Sequence, residues 1–216
     1  MKIYSGPLSM FGAKAEIAAH EKGIVFELEM VPFDMRRLYE PKHPEVLRIN
    51  PKRQVPVLID GDVEIFDSTQ IFEYLEDRWP VPALWPATPP DRARARLLEL
   101  KSDEVFFPHV IRLMGLQDQP DHPDRGPARA GIEGYYGAMD ELLTGRAYLA
   151  GPYSYADIAF YMAQFFAARM GVPMTSALPR LSAWRVRVGE HPAVARVTGA
   201  MSDFLHRSNR PVPEFA

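Results

Sequence analysis

Apolar and polar positions divide this chain into two regimes. Up to residue 79, short apolar runs of strand character alternate with helical segments. Lys2 to Tyr4 predicts a short strand, and Met10 to Lys22 a helix closed by Gly23 in a left-handed cap. Ile24 to Val31 predicts a second strand, because Val25, Glu27 and Glu29 alternate with Phe26, Leu28 and Met30. Residues 34–50 read as loop with at most a helical turn. Val55 to Ile59 and Val63 to Phe66 predict a hairpin around Asp60-Gly61-Asp62. Asp67 to Trp79 predicts a helix with Ile71, Phe72, Leu75 and Trp79 on one stripe. A strand–helix–strand unit followed by a hairpin and a covering helix fits a four-stranded mixed sheet.

From about residue 91 onward the period is helical throughout. Segments at 91–117, 126–143, 155–170, 177–190 and 192–207 are predicted, the first kinked at Pro108. Ser154-Tyr155-Ala156-Asp157 has the spacing of a capping box, with Asp in place of Glu or Gln. The helix it opens is apolar nearly all round, which predicts the central helix of a bundle. Residues 80–90 hold five prolines, which neither a helix interior nor a central strand tolerates. The domains expected are therefore residues 1–79, a stiff linker at 80–90, and an all-α domain at 91–216.

Composition narrows the chemistry by exclusion. The chain has 216 residues, a formal net charge of −3 and no cysteine. Disulfides, thiolate metal sites and a cysteine nucleophile are thereby excluded. The six histidines are scattered without a ligand pair, so no metal is expected. The charge balance argues against nucleic acid, and Arg92-Ala93-Arg94-Ala95-Arg96 reads as a solvated helix face. Met1-Lys2 runs straight into a strand, with no leader pattern. No stretch reaches the roughly eighteen apolar residues of a membrane span, so the expectation is a cytoplasmic protein. No glycine-rich phosphate loop and no nucleophile elbow are present.

Three places can hold chemistry. Ser9 lies between the first strand and the first helix, where free N–H groups and the helix dipole favour an anion. Its hydroxyl can cap the helix or donate a hydrogen bond to a thiolate. Asp67-Ser68 opens another helix; it can cap it, or hold an ammonium and a carboxylate. Val55-Pro56 stands at the mouth of a strand, where a free backbone edge could pair with an extended peptide. Lys42, Arg48, Lys52, Arg53 and Gln54 lie close by in sequence.

These residues together resemble the cytosolic glutathione transferases, over nearly the whole chain. The resemblance rests on Gly6-Pro7-Leu8-Ser9 with Lys14, and on Glu21-Lys22-Gly23-Ile24. It rests further on Asn50-Pro51, Gln54-Val55-Pro56-Val57-Leu58, Asp67-Ser68 with Ile71 and Tyr74-Leu75, and Leu149 through Asp157. It implies a thioredoxin-like N-terminal βαβ-ββα domain and a C-terminal helical bundle. It also implies a cis bond before Pro56, glutathione as co-substrate, and a homodimer. Ser9 matches the catalytic serine of the serine-type classes, and Val55 the residue pairing with the cysteinyl backbone. Asp67 and Ser68 match the γ-glutamyl binders, while Gln54 and Lys42 match contacts to the rest of the peptide. Tyr4 and Ser5 are alternative hydroxyls. An electrophile pocket is expected from Met10 and Phe11 with Phe106, His109, Arg112 and Leu113, whose apolar members are equally suited to plain packing.

The absence of cysteine separates the chain from the omega-like and beta-like members. The Pro7-Leu8-Ser9-Met10 sequence separates it from the zeta-like isomerases. Conjugation to a small hydrophobic electrophile, and glutathione-dependent cleavage of an ether or carbon–halogen bond, both remain open. A third reading is a non-catalytic binding protein of the stringent-starvation type, which shares the fold. Such proteins tend to lose the serine and the glutathione contacts, whereas Ser9, Asp67 and Ser68 are present here.

Overall fold

A computed structural model describes residues 1–213, and they form two compact units. One comprises Met1–Ala83 with Pro192–Val212; the other comprises Leu84–His191.

The first unit begins with β1 (Lys2–Ser5), α1 (Met10–Glu21) and β2 (Glu27–Met30). It continues through α2 (Pro44–Ile49), β3 (Val57–Asp60), β4 (Val63–Phe66) and α3 (Ser68–Arg78). The sheet order is β2-β1-β3-β4; β1 and β2 are parallel, and the other two pairings are antiparallel. This is the mixed sheet expected. Strand β2 is shorter than the alternation at 24–31 suggested. It pairs only where β1 has residues to offer, from Lys2 opposite Glu27 to Ser5 opposite Met30. Residues 34–50, expected as loop, hold the two-turn α2, started by Pro44 in its first turn.

Helix α1 ends as the sequence implies. Gly23 has φ +64°, and Ile24 N–H donates to the Ala19 carbonyl. The cap residue Lys22 has a fully buried side chain. Its ammonium donates to the Trp79 and Pro82 carbonyls at 2.7 and 2.9 Å and pairs with Glu76 at 2.6 Å. One cation thus ties the end of α1 to the end of α3. The chain's last helix, α9 (Pro192–Arg207), also belongs to this unit, where it packs on α1. The expected all-α range of 91–216 had grouped it with the other helices.

The second unit holds α4 (Pro89–Lys101), α5 (Phe107–Gly115), α6 (Arg125–Leu142), α7 (Tyr155–Arg169) and α8 (Pro179–Gly189). Helix α4 starts inside the expected linker, because Pro89 and Pro90 suit a first turn whose N–H groups need no partner. The helix expected at 91–117 is two helices. Between them Ser102–Phe106 forms a widened π turn, in which Phe107 N–H donates to the carbonyl of Ser102. Pro108 has no N–H to give, and the wider turn absorbs that loss one residue before it.

Helix α7 is buried along nearly all its length, as its sequence predicted. Its N-terminus is organised by Asp157. That carboxylate accepts from Ser154 N–H and Leu149 N–H at 2.9 Å, Trp184 Nε1–H at 2.8 Å and the Ser154 hydroxyl at 3.1 Å. Burial pushes Asp157 up to about 6, and these donors pull against that shift.

Candidate functional site

The sheet register gathers one end of the first unit. Tyr4 pairs with Val57, and Val57 with Phe66. The exit of β1, the entry of β3 and the exit of β4 therefore lie side by side. Ser9 follows the first, Val55-Pro56 precedes the second, and Asp67-Ser68 follows the third. Because β2 runs parallel to β1, its exit, which leads to Lys42, points the same way.

Ser9 is the N-cap of α1. Its Oγ accepts from Gly12 N–H at 2.9 Å, and its own N–H donates to the Gly6 carbonyl at 3.1 Å. Capping uses the oxygen's lone pair and leaves the O–H free to act as a donor. The two roles considered for this serine are thus compatible. The helix tip is crowded. A Cβ on Gly12 would collide with Ser5 Oγ and lie 3.1 Å from Ser9 Oγ. Residue 12 is glycine because two hydroxyls occupy that space. Of the alternative hydroxyls, Ser5 is fully buried, and Tyr4 packs with Val31, Val46 and Val57 in the core.

Asp67 caps α3 by accepting from Thr69 N–H at 3.0 Å and Gln70 N–H at 3.3 Å. It does so at φ 77° and ψ 127°, a conformation that non-glycine residues rarely adopt. Strain of this kind persists where the surroundings over-determine it, and it concentrates at ligand clamps. Ser68 beside it is buried. The Val55–Pro56 peptide bond is cis, as the resemblance implied. Gln54 is exposed, with its carbonyl held by Asn50 Nδ2 at 2.6 Å. Lys42 pairs with Glu40 at 3.4 Å and lies 5.8 Å from the centre of the Tyr39 ring. The donors and acceptors at this end of the sheet suit a zwitterionic, extended peptide.

The residues expected to hold an electrophile have mixed surroundings. In the first unit, Met10 is buried in the first turn of α1, and Phe11 lies 5.7 Å from the Lys14 ammonium. In the helical unit, Phe106 is fully buried among the rings of Tyr135, Tyr136 and Phe160. Leu113 is equally buried. His109 lies against Gly131, where a Cβ would meet its ring at 2.5 Å, and Arg112 is exposed and pairs with Asp124 at 3.2 Å. Only His109 and Arg112 of these four offer accessible polar groups.

Sequence reasoning missed Glu16. It lies on α1 within an otherwise alanine-rich stretch and is buried, facing a cleft of about 340 Å³ in the first unit. Burial pushes its carboxyl up to about 7, and the Ser5 hydroxyl opposes the shift. A lone acid among Ala13, Ala15, Ile17 and Ala18 was the available signal. Among the described residues no cluster of three or more acidic, histidine or cysteine side chains could hold a metal ion. No helix among them is long and apolar enough to cross a membrane.

Comparison with known proteins bears on these geometries. Residues 8–78 match the glutathione S-transferase N-terminal domain, and residues 103–192 match the glutathione S-transferase C-terminal domain. Glutathione S-transferase 1 of Dianthus caryophyllus is 40% identical over 166 residues, covering 73% of this chain and 70% of that protein. A stringent starvation protein A homolog of Coxiella burnetii is 34% identical over 116 residues, 53% of this chain. The chain spans about half the length of the stringent starvation relatives it matches, 51% in that case. Among solved structures, a glutathione S-transferase from Rhodospirillum rubrum superposes with a TM-score of 0.79 at 25% identity, covering 91% of each chain.

Proposed function

From the premise that this chain belongs to the glutathione S-transferase family, we propose that it binds glutathione and activates its thiol for attack on a small hydrophobic electrophile. One observation carries this reading. Ser9 caps α1 with its oxygen, keeps its O–H to give, and stands at the same end of the sheet as Pro56 and Asp67-Ser68.

Asp67 and Ser68 take the ammonium and carboxylate of the γ-glutamyl group. The Val55 backbone pairs with the cysteinyl unit, while Gln54 and Lys42 reach the remaining peptide. The sulfur then lies at Ser9. A free thiol near pKa ~8.5 is only a few per cent thiolate at neutral pH. Lowering that value by about two units takes roughly 2.7 kcal/mol of preferential anion stabilisation. A hydroxyl hydrogen bond to a charged sulfur and a helix N-terminus together supply energy of that order. The thiol proton leaves to solvent, the sulfur forms a bond to the electrophilic carbon, and a leaving group departs or a strained ring opens. Cleavage of an aryl ether or a carbon–halogen bond uses the same thiolate. The working form is proposed to be a cytoplasmic homodimer.

The 34% match to the Coxiella burnetii homolog favours a second reading, a non-catalytic binding protein of the stringent-starvation type. Titration calorimetry with glutathione, joined to turnover on aryl halides, epoxides, isothiocyanates, peroxides and aryl ethers, separates the two. Binding with turnover is expected. Ser9→Ala should retain much of the binding and lose turnover by about tenfold or more, the worth of one hydrogen bond to a charged sulfur. The absorbance of bound thiolate should shift to higher pH in that variant. No heat from the parent protein ends the enzymatic reading. Parental turnover in Ser9→Ala moves the role to Ser5 or Tyr4.

A further inference from the structure

One stripe of α1 carries Ser9, Gly12 and Glu16, and Ser5 at the end of β1 stands against it. A Cβ on Gly12 would meet both serine oxygens, so the two hydroxyls are close neighbours. The Ser5 hydroxyl is fully buried and has no partner at hydrogen-bond geometry among the described residues. It nevertheless lies near enough to Glu16 to hold that carboxyl down against the effect of burial. Buried polar groups are normally paired, and an unpaired one costs stability. Alanine at position 5 would avoid that cost, so packing does not account for the hydroxyl.

The three side chains lead from the helix tip to a second opening. Ser9 caps the tip, Ser5 lies behind it, and Glu16 faces the cleft of about 340 Å³ that Gly6, Ala13 and Arg207 also line. Arg207 is exposed, so the cleft leads to solvent, and its volume exceeds the ~30 Å³ share of one water many times. The charged groups around Glu16 are His20 one turn along α1 and Arg196 and Arg207 of α9. Lys14 lies over the Phe11 ring, and Glu76, on the packed helix α3, pairs with Lys22. From the sheet, Ser5 is the polar group that acts on Glu16.

We propose that Ser5 and Glu16 form a proton relay behind Ser9, carrying the glutathione thiol proton through the interior to the cleft. The relay rests on the transferase reading and is the route by which that proton reaches solvent. The thiol S–H donates to Ser9 Oγ, the Ser9 O–H to Ser5 Oγ, and the Ser5 O–H to ionised Glu16. Ser9 Oγ has two lone pairs, of which Gly12 N–H uses one. Each hydroxyl takes one proton and passes on its own. The S–H bond breaks, an O–H bond forms on Glu16, and the electron pair stays on sulfur. The chain of donors is then reversed, and the Ser9 O–H points at the thiolate. Net charge is unchanged, so no second anion is buried. Burial sets the Glu16 carboxyl at about 7, where a general base serves best near neutral pH. Glu16 afterwards gives the proton to water in the cleft.

The test follows thiolate absorbance by stopped flow after the full chain is mixed with glutathione. In the parent the rate should rise as pH passes through about 7 and ignore buffer concentration. Glu16→Gln and Ser5→Ala should bind glutathione within about twofold of the parent but form thiolate about tenfold more slowly or worse. Their rates should climb with buffer concentration, because an external base must then take the proton. The double variant should be no slower than the slower single one, as members of one chain require. A parental rate in either single variant overturns the relay and leaves the transferase reading standing. Losses that multiply in the double variant overturn it too. No thiolate in the parent removes both. If Glu16→Gln does not fold, Ser5→Ala decides alone, since it removes only a hydroxyl without a partner.

Discussion

Replacing Glu16 by glutamine makes stability report directly on a buried charge. The Glu16 carboxyl sits among apolar side chains of α1 and α9, and burial raises it from its ordinary 4.5 to about 7. The Ser5 hydroxyl on β1 opposes that shift, and Arg207 of α9 shares the cleft. A raised acid favours the folded state fully below its unfolded value and loses that contribution as pH climbs through its folded value. The window therefore runs from about 4.5 to about 7. At about 1.4 kcal/mol for each pKa unit, the full effect is about 3 kcal/mol. Glutamine keeps the shape and cannot ionise. Urea unfolding of both proteins at pH 5 and pH 8, at one protein concentration, isolates the effect. Asp157, also raised by burial, is common to both proteins and cancels. The parent should lose about 2–3 kcal/mol relative to Glu16→Gln between the two pH values. A difference that stays flat, or that grows in the parent's favour with pH, refutes the burial argument.

Other perturbations follow from the same geometry. Asp157→Ala leaves three buried N–H groups and a hydroxyl without their acceptor and should cost about 3–5 kcal/mol in urea unfolding; a loss under about 1 kcal/mol contradicts the cluster's role. Lys22→Met removes the cation joining α1 to α3 and should cost about 3 kcal/mol, lowering the calorimetric melting temperature by roughly 8 °C. An unchanged melting temperature would mean that the three contacts are not made in solution.

Sequence alone determined the parts that rest on local rules. Ser9, Asp67, Gly23 and the Ser154–Asp157 pair are cap residues whose role depends on neighbours within four positions, and each caps as its type requires. The Asp60-Gly61 turn and its flanking alternation likewise define a hairpin without outside help. Tertiary structure decided what depends on partners distant along the chain. The length of β2 follows from the few residues β1 offers it, and the π turn at Ser102–Phe106 from how α5 must restart around Pro108. Whether Ser9, Pro56 and Asp67 share one end of a sheet is a matter of register, which periodicity does not contain. The same holds for Glu16. A charged residue on an alanine-rich helix reads as solvated until α9, some 180 residues later, packs against α1 and takes its water away. Burial belongs to the assembled fold, and with it the shift of a carboxyl into the neutral range.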